Sequence, residues 1–287
     1  MPSTTAPQPG SLYVVGTPLG NLEDMTFRAV RILQSVDLIA AEDTRHTAKL
    51  LQHFQISTPQ ISYYTHNRQQ RLDELLHHLQ VQQHSVALVS DAGMPGISDP
   101  GYELIAACIE VGITVVPIPG PTAAITALCV SGLPTDRFIF EGFLPLKEAS
   151  RRERLTLLQQ EQRTMILYEA PHRLLKTLGD LSTALGSDRR IALGRELTKR
   201  FEEYWYGTLD TALVHYQEVS PRGEFTLVVQ GSELTGPVLS EEALKAELQT
   251  LIESGLSRSE ASRQLAKATG KPKKMIYQLS LATGPDQ

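Results

Sequence analysis

A series of short runs that are apolar almost throughout, rather than at alternate positions, limits what this chain can fold into. They are Leu12-Tyr13-Val14-Val15-Gly16, Asp37-Leu38-Ile39-Ala40-Ala41, Ser85-Val86-Ala87-Leu88-Val89 and residues 114–118. A strand with one face in water alternates. A strand apolar along its length is covered on both faces, which is the pattern of a parallel sheet between two layers of helices. Stretches with helical apolar spacing lie between the runs, at residues 26–35, 46–54, 68–80 and 101–111. In the third of these, Leu72, Leu75, Leu76 and Leu79 share one face. Residues 60–64 read as one more strand.

The alternation continues after Pro134. Strands are expected at 138–143, 164–168, 190–196 and 224–230, and helices at 148–160, 172–185 and 208–218. The fold class that follows is α/β, with two successive α/β domains and a small C-terminal helical unit. The expected divisions are a disordered lead over 1–11, a first domain over 12–131, a second over 132–231, and a purely helical appendage over 238–287. The domain boundary falls near 131–136, and residues 232–237 form a linker.

Composition excludes several classes. No apolar run approaches the roughly 18 residues a membrane helix needs, so no membrane association is expected. The first ten residues are rich in Pro, Thr and Gln, without a basic or an apolar stretch, and do not read as a signal peptide. Cys108 and Cys129 both sit among apolar residues, and buried reduced thiols and a cytoplasmic location are expected. No Cys/His cluster has metal-ligand spacing, so no metal is expected. The net charge of −5 means that any nucleic-acid surface must be local.

Ligands of open α/β sheets bind beyond the carboxyl ends of the strands. Three such ends here are rich in glycine and proline: Gly16-Thr17-Pro18-Leu19-Gly20-Asn21, the twelve residues 90–101, and Pro117-Ile118-Pro119-Gly120-Pro121-Thr122-Ala123-Ala124. The first could equally be an ordinary turn, and it lacks the G-x-G-x-x-G dinucleotide fingerprint. The second holds three glycines and two prolines between Asp91 and Asp99 and their flanks, far more than a turn requires.

These loops resemble the cofactor-binding loops of the tetrapyrrole methylase superfamily. Within it, Ala41-Glu42-Asp43-Thr44-Arg45, the 90–101 loop, Tyr168-Glu169-Ala170-Pro171-His172-Arg173 and Gly194-Arg195-Glu196-Leu197-Thr198-Lys199 are similar to the ribosomal RNA small-subunit ribose-2′-O methyltransferase family. The resemblance spans about Leu12 to Gly231. Thr17 and Leu19 depart from the superfamily's commoner G-x-G-P-G form. The resemblance implies two α/β domains with S-adenosyl-L-methionine in a cleft between them, a homodimer, and a cytidine ribose in the decoding region of small-subunit rRNA as target, met in the assembled 30S subunit. It implies that Pro18, Asp91, Ala92, Gly93, Pro95, Gly96, Ile97, Ser98, Gly120, Thr122 and Ala123 line the cofactor from the first domain. Tyr168, Glu169, Glu196 and Thr198 would face the same cleft from the second.

Methyl transfer to a weakly acidic hydroxyl gains from a positioned base. Glu169, His172 and Asp43 are the first candidates, with Glu42 and Asp91 beside them. Each has a structural alternative. Glu169 can cap the helix starting near Pro171, His172 can be a surface residue, and Asp43 can cap the helix after it. Arg45 and Arg173 are candidates for rRNA phosphates or for ion pairs with these acids. Of Tyr63 and Tyr64, one is expected to pack in the core and the other could stack on a base.

Residues 255–282 form two helices around a Thr269-Gly270-Lys271-Pro272 turn, a helix-turn-helix pattern with Ser257 as a cap. Arg258, Arg263, Lys267, Lys271, Lys273 and Lys274 stand against one acid there, Glu260. This local excess of positive charge, opposite in sign to the whole chain, fits a grip on rRNA phosphates, or else a solvated helical pair that tethers the chain.

Overall fold

The computed structural model describes residues 6–64, 67–232, 240–269 and 271–281. The first half of the expected lead, nearly all of the 232–237 linker, Gly270 of the turn and the tail after 281 lie outside the described residues. Two compact units are present, residues 1–158 with 164–230, and residues 159–163 with 231–287.

The larger unit holds two sheets. The first half of the chain runs β1 (Ser11–Val15), α1 (Phe27–Ser35), β2 (Leu38–Ala41), α2 (Thr44–His53), β3 (Gln60–Ser62), α3 (Arg68–Gln80), β4 (Val86–Val89), α4 (Tyr102–Glu110), β5 (Thr114–Ile118) and α5 (Ala123–Val130). The sheet order is β3-β2-β4-β1-β5 and every pairing is parallel. The sequence pattern explains it. Tyr13, Val15, Ile39, Ala41, Ala87 and Val89 pack on α1 and α2 through Ala29, Ile32, Leu33, Leu50 and Leu51. Their neighbours Leu12, Val14, Leu38, Ala40, Val86 and Leu88 pack on α3 and α4 through Leu75, Leu79, Leu104 and Cys108. Each such buried side chain contributes roughly 1.5–3 kcal/mol of burial. Thr26, Asp43 and Thr122 start α1, α2 and α5 by accepting the amides of Ala29, Arg45 and Ile125.

The second half runs β6 (Phe138–Gly142), α6 (Glu148–Leu158), β7 (Thr164–Glu169), a 3₁₀ turn (Pro171–Arg173), α7 (Leu174–Leu185), β8 (Arg190–Arg195), β9 (Glu203–Thr208), α8 (Leu209–Glu218) and β10 (Phe225–Val229). Its sheet departs from the parallel expectation. In the order β6-β7-β10-β8-β9 only β6 and β7 pair parallel, and the other three pairings are antiparallel. Residues 196–202 turn β8 straight back into β9, and β10 inserts between β7 and β8. Apolar runs report burial on both faces, not direction. One face of this sheet meets α6, α7 and α8 through Leu155, Leu178, Leu181, Leu209 and Tyr216. The other face receives α5, whose Ala124, Ala127 and Leu128 pack on Ile166, Ala192 and Val228.

Two elements escaped the sequence pattern. The aromatic strand β9 has only half-buried or exposed positions and ends in Gly207-Thr208, so no apolar run marks it. Helix α5 follows directly on a glycine- and proline-rich turn that hides its start. Cys129 also departs from expectation. Cys108 is buried and its thiol is pushed up to about 12 by that burial, but Cys129 is exposed on α5.

The smaller unit contains α9 (Glu241–Glu253), α10 (Arg258–Thr269) and α11 (Lys273–Leu281), closed over Leu244, Leu248, Ala261, Leu265 and Ile276. Ser257 and Glu260 form a reciprocal cap at the start of α10. The Ser257 hydroxyl accepts the Glu260 amide at 3.3 Å, and the Glu260 carboxylate accepts the Ser257 amide at 3.2 Å. Among the described residues no helix is long and apolar enough to cross a membrane.

Backbone contact holds the three glycine-rich loops of the first sheet together. A Cβ on Gly120 would sit 2.8 Å from the Gly16 Cα and 2.9 Å from its carbonyl oxygen. Gly120→Ala therefore costs about 1–3 kcal/mol in urea unfolding. Gly179, inside α7, faces open space, and Gly179→Ala is expected to stabilise by about 0.5–1 kcal/mol in the same measurement. Equal effects of the two substitutions would contradict this account of the loops.

Candidate active site

The ends of β1, β4 and β5 meet the second sheet's edge around a cavity of about 480 Å³, within the 300–1,000 Å³ range of small-molecule sites. The loop after β1 is pinned to the loop after β4. The Thr17 amide donates to the Gly93 carbonyl at 2.9 Å, the Gly93 amide returns to the Thr17 carbonyl at 3.0 Å, and the Thr17 hydroxyl donates to the Ser90 carbonyl at 3.0 Å. Gly93 and Gly96 have φ of +81° and +83°, which glycine adopts without strain, while Ser98 holds φ +63° as a non-glycine residue. Ser98 reaches the second sheet, where a Cβ on Gly142 would meet its hydroxyl at 3.3 Å.

Of the residues expected around the cofactor, Ala92, Gly93, Ile97, Ser98, Thr122, Ala123 and Tyr168 line the cavity. Pro18, Asp91, Pro95, Gly96, Gly120, Glu196 and Thr198 do not; several of them shape the loops from behind. Gly120 abuts Gly16. The Asp91 carboxylate accepts the Asp43 amide at 3.1 Å, and the Asp91 amide donates to Glu42 at 3.2 Å. Glu196 accepts the Glu224 amide at 2.9 Å and the Lys199 ammonium at 3.0 Å, and the Thr198 amide donates to Glu202 at 2.7 Å. The Tyr168 hydroxyl accepts the Ala124 amide at 3.1 Å, tying β7 to the first turn of α5.

The candidate bases separate by environment. Glu169 lines the cavity, but its side chain has no exposure and both oxygens are engaged. One accepts the Thr177 hydroxyl at 2.5 Å; the other accepts the Ala170 amide at 2.9 Å and pairs with Arg173 at 3.3 Å. Arg151, itself buried, donates to Thr177 at 2.8 Å and to Asp180 at 2.6 Å. The chain Asp180–Arg151–Thr177–Glu169–Arg173 thus fastens α6, α7 and the 3₁₀ turn to the end of β7. Arg173 spends a further nitrogen on the Leu144 carbonyl at 2.7 Å, so its guanidinium is committed inward. His172 is exposed and off the cavity. Asp43 caps α2 and pairs with Arg45 at 2.7 Å. The Arg45 guanidinium holds its carboxyl well below the usual carboxylate range, although Arg45 itself is largely exposed. Tyr63 is buried and Tyr64 exposed, one packed and one accessible.

Two features of the cavity were missed in the sequence. Phe138, Phe140 and Phe143 form an aromatic wall, with the Phe140 and Phe143 rings 4.9 and 5.8 Å from that of Tyr168, edge to face. The spacing of these phenylalanines was visible but had been absorbed into a strand. The other is Asp99, on the cavity's rim. Its carboxyl is pushed up to about 7 by burial and by the charges of Glu42, Asp91 and Glu224, against a hydrogen bond from Ser90. Glu42 is raised too, by burial first and then by Asp91 and Asp43.

Residues 11–213 match the family described as Tetrapyrrole (Corrin/Porphyrin) Methylases. The chain is 60% identical over 278 residues to the ribosomal RNA small subunit methyltransferase I of Synechocystis sp., covering 96% of this chain and 99% of that protein. This chain belongs to the tetrapyrrole methylase family, in its ribosomal RNA small subunit methyltransferase I branch. The Escherichia coli O157:H7 member of that branch is 47% identical over 274 residues, covering 95% of each chain. Among solved structures, the Thermus thermophilus uroporphyrin-III C-methyltransferase complexed with S-adenosylhomocysteine shares the fold, with a TM-score of 0.53 at 19% identity over 77% of this chain and 97% of that one.

In this tetrapyrrole methylase, Glu169 is a structural carboxylate. Glu169→Ala removes the carboxylate partner of Arg173 and the acceptor of the buried Thr177 hydroxyl and is expected to cost about 3–5 kcal/mol in urea unfolding. A change below about 1 kcal/mol, the range of an exposed pair, would show that the network contributes little.

Proposed function

We propose that this protein transfers the methyl group of S-adenosyl-L-methionine to the 2′-oxygen of a cytidine ribose in the decoding region of small-subunit rRNA, acting as a homodimer on the assembled 30S subunit. The observation that carries the reading is the near full-length identity to proteins named ribosomal RNA small subunit methyltransferase I.

The cavity suits the cofactor chemically. Its volume is that of a small-molecule site, and the loops on one side are held by backbone contacts that exclude side chains. When bound, the cofactor supplies an activated methyl group on a sulfonium, so the protein's part is alignment, exclusion of water and disposal of a proton. Ala92, Gly93, Thr122 and Ala123 would hold the cofactor by backbone and small side chains. Tyr168 and the three phenylalanines give accessible aromatic surface on which an unstacked base can lie.

The rRNA grip is proposed for the smaller unit. Lys273 and Lys274 are exposed at the start of α11, Arg263 is exposed and Arg258 half-buried on α10, and Lys271 lies in the connection between the two helices. Arg45, at the start of α2, is the exposed candidate on the larger unit.

The direct test is incubation with labelled S-adenosyl-L-methionine and 30S subunits lacking native modifications, with free rRNA and a tetrapyrrole in parallel. Label in an alkali-resistant dinucleotide of the rRNA is expected, and more of it from 30S than from free rRNA. Label in the tetrapyrrole alone would replace this reading with a small-molecule methyltransferase. Alanine at Arg258, Arg263, Lys271, Lys273 and Lys274 together should weaken 30S binding and flatten its salt dependence by about 0.7 in log–log slope per lost phosphate contact. An unchanged slope would remove the helices from the RNA interface.

A further inference from the structure

The larger unit holds a second cavity, of about 360 Å³, that methyl transfer does not use. It opens where β8 ends, where β9 begins and where the connection from α8 to β10 passes. Arg195, Glu203, Tyr216, Ser220 and Arg222 line it. We propose that this cavity is a phosphate site and that, granted the rRNA reading above, its occupant is a backbone phosphate of the strand being methylated.

The lining offers donors that lack acceptors. The Arg195 guanidinium donates through Nε to the Arg222 carbonyl and through Nη1 to Glu203, each at 2.7 Å. Among the described residues its third nitrogen, the Arg222 guanidinium and the Ser220 hydroxyl have no partner. Tyr216 is 2% exposed, and its hydroxyl is buried without a partner. A buried polar group in that state is rare. Burial and the charge of Glu203, opposed by Arg195, push this hydroxyl up to about 12, so it stays a protonated donor among those two side chains. Its ring is held edge to face by Phe225 at 5.4 Å and by His215 at 4.8 Å. Glu203 is the one carboxylate on the cavity, and Arg195 already pairs with it. Two guanidinium groups against one carboxylate leave positive charge in excess. A phosphate supplies the charge and the acceptor oxygens that these donors lack, and guanidinium nitrogens match it in pairs.

The cavity's place in the fold favours an RNA strand as the source of that phosphate. Arg195 of β8 is the register partner of Phe225 of β10, and Phe225 lines the cofactor cavity. Glu224, on the same cavity, is two residues from Arg222. Both cavities thus lie at one end of the second sheet, and a strand crossing that end meets both. The connection that carries Arg222 is fixed in place. Gly223 holds φ +77° and packs on the Glu196 side chain so closely that no Cβ fits, and Glu196 accepts the Glu224 amide at 2.9 Å. Arg222 is exposed on this set backbone. A phosphate contact of this kind sets the register of a strand without reading its sequence.

The test uses the full-length protein and 30S subunits, with binding followed across salt concentration and methyl transfer in parallel. Arg222→Ala should lower the log–log salt slope by about 0.7 and raise the KM for 30S, with kcat and the affinity for S-adenosylhomocysteine retained. Arg222→Lys should restore most of the slope, because it restores the charge. Tyr216→Phe should weaken 30S binding roughly 10-fold with the slope unchanged. Its Tm should not fall below that of wild type, since the lost hydroxyl has no partner in the fold. Wild-type affinity and slope in both Arg222→Ala and Tyr216→Phe would overturn the inference, and so would weakened binding by Tyr216→Phe that follows a loss of stability. Inorganic phosphate tests the other source. If it binds the wild type and not Arg222→Ala in calorimetry, while the 30S salt slope of Arg222→Ala stays that of wild type, the site takes free phosphate and the RNA assignment is overturned. Wild-type protein that binds 30S but leaves it unlabelled would overturn the proposed methyl transfer, and the salt slopes of the variants would then decide the phosphate site on their own.

Discussion

Backbone contact among three loops is the constraint on which the cavity depends. Gly16 and Gly120 touch without side chains, and Thr17 and Gly93 exchange both backbone hydrogen bonds across the same point. Any Cβ at Gly16 or Gly120 would push the loops after β1 and β5 apart. The long loop after β4 is tied to the first of them at Thr17 and Gly93. It crosses to Gly142 at the edge of the second sheet, carrying Ile97, Ser98 and Asp99 to the cavity. The parallel order of the first sheet is what brings these loops to one end, since β1 sits between β4 and β5.

The second sheet supplies a rigid counterpart. At the cavity its end is fastened through one buried carboxylate, Glu169, satisfied on both oxygens by Thr177, Ala170 and Arg173. Buried charge is tolerable only when so fully paired. Asp99 stands in contrast. It is partly buried and sits among the like charges of Glu42, Asp91 and Glu224. Two carboxylates on one cavity thus have opposite surroundings, one fully paired and one among like charges.

Much of this was legible in the sequence. The apolar runs gave the first sheet nearly strand for strand, because burial on both faces leaves no polar position to blur the pattern. The glycine and proline of the 90–101 loop marked the site, because few other residues accept its backbone. Direction within the second sheet was not legible, since Arg190–Arg195 is apolar enough to sit beside either a parallel or an antiparallel neighbour. The edge strand Glu203–Thr208 carried its signal in Tyr204, Trp205 and Tyr206 and not in apolarity. At the site, Glu169 and Asp43 were visible as acids at strand ends, but whether an acid is pinned or poised depends on partners far away in sequence. Thr177 engages Glu169 from α7 with Arg151 of α6 behind it, and Glu42 acts on Asp99 from the end of another strand. Such facts belong to the fold and not to any local motif.

The C-terminal unit closes its own small core over five residues and leaves basic side chains on its surface, as its charge pattern suggested. The claim at the centre of the account concerns the larger unit: that the cavity between the loops and the aromatic wall holds the methyl donor. A crystal structure of the protein soaked with S-adenosylhomocysteine tests it most directly. The account predicts the ligand against Ala92, Gly93, Thr122 and Ala123, opposite Tyr168 and the phenylalanines of the same cavity. Ligand bound outside this cavity would contradict it.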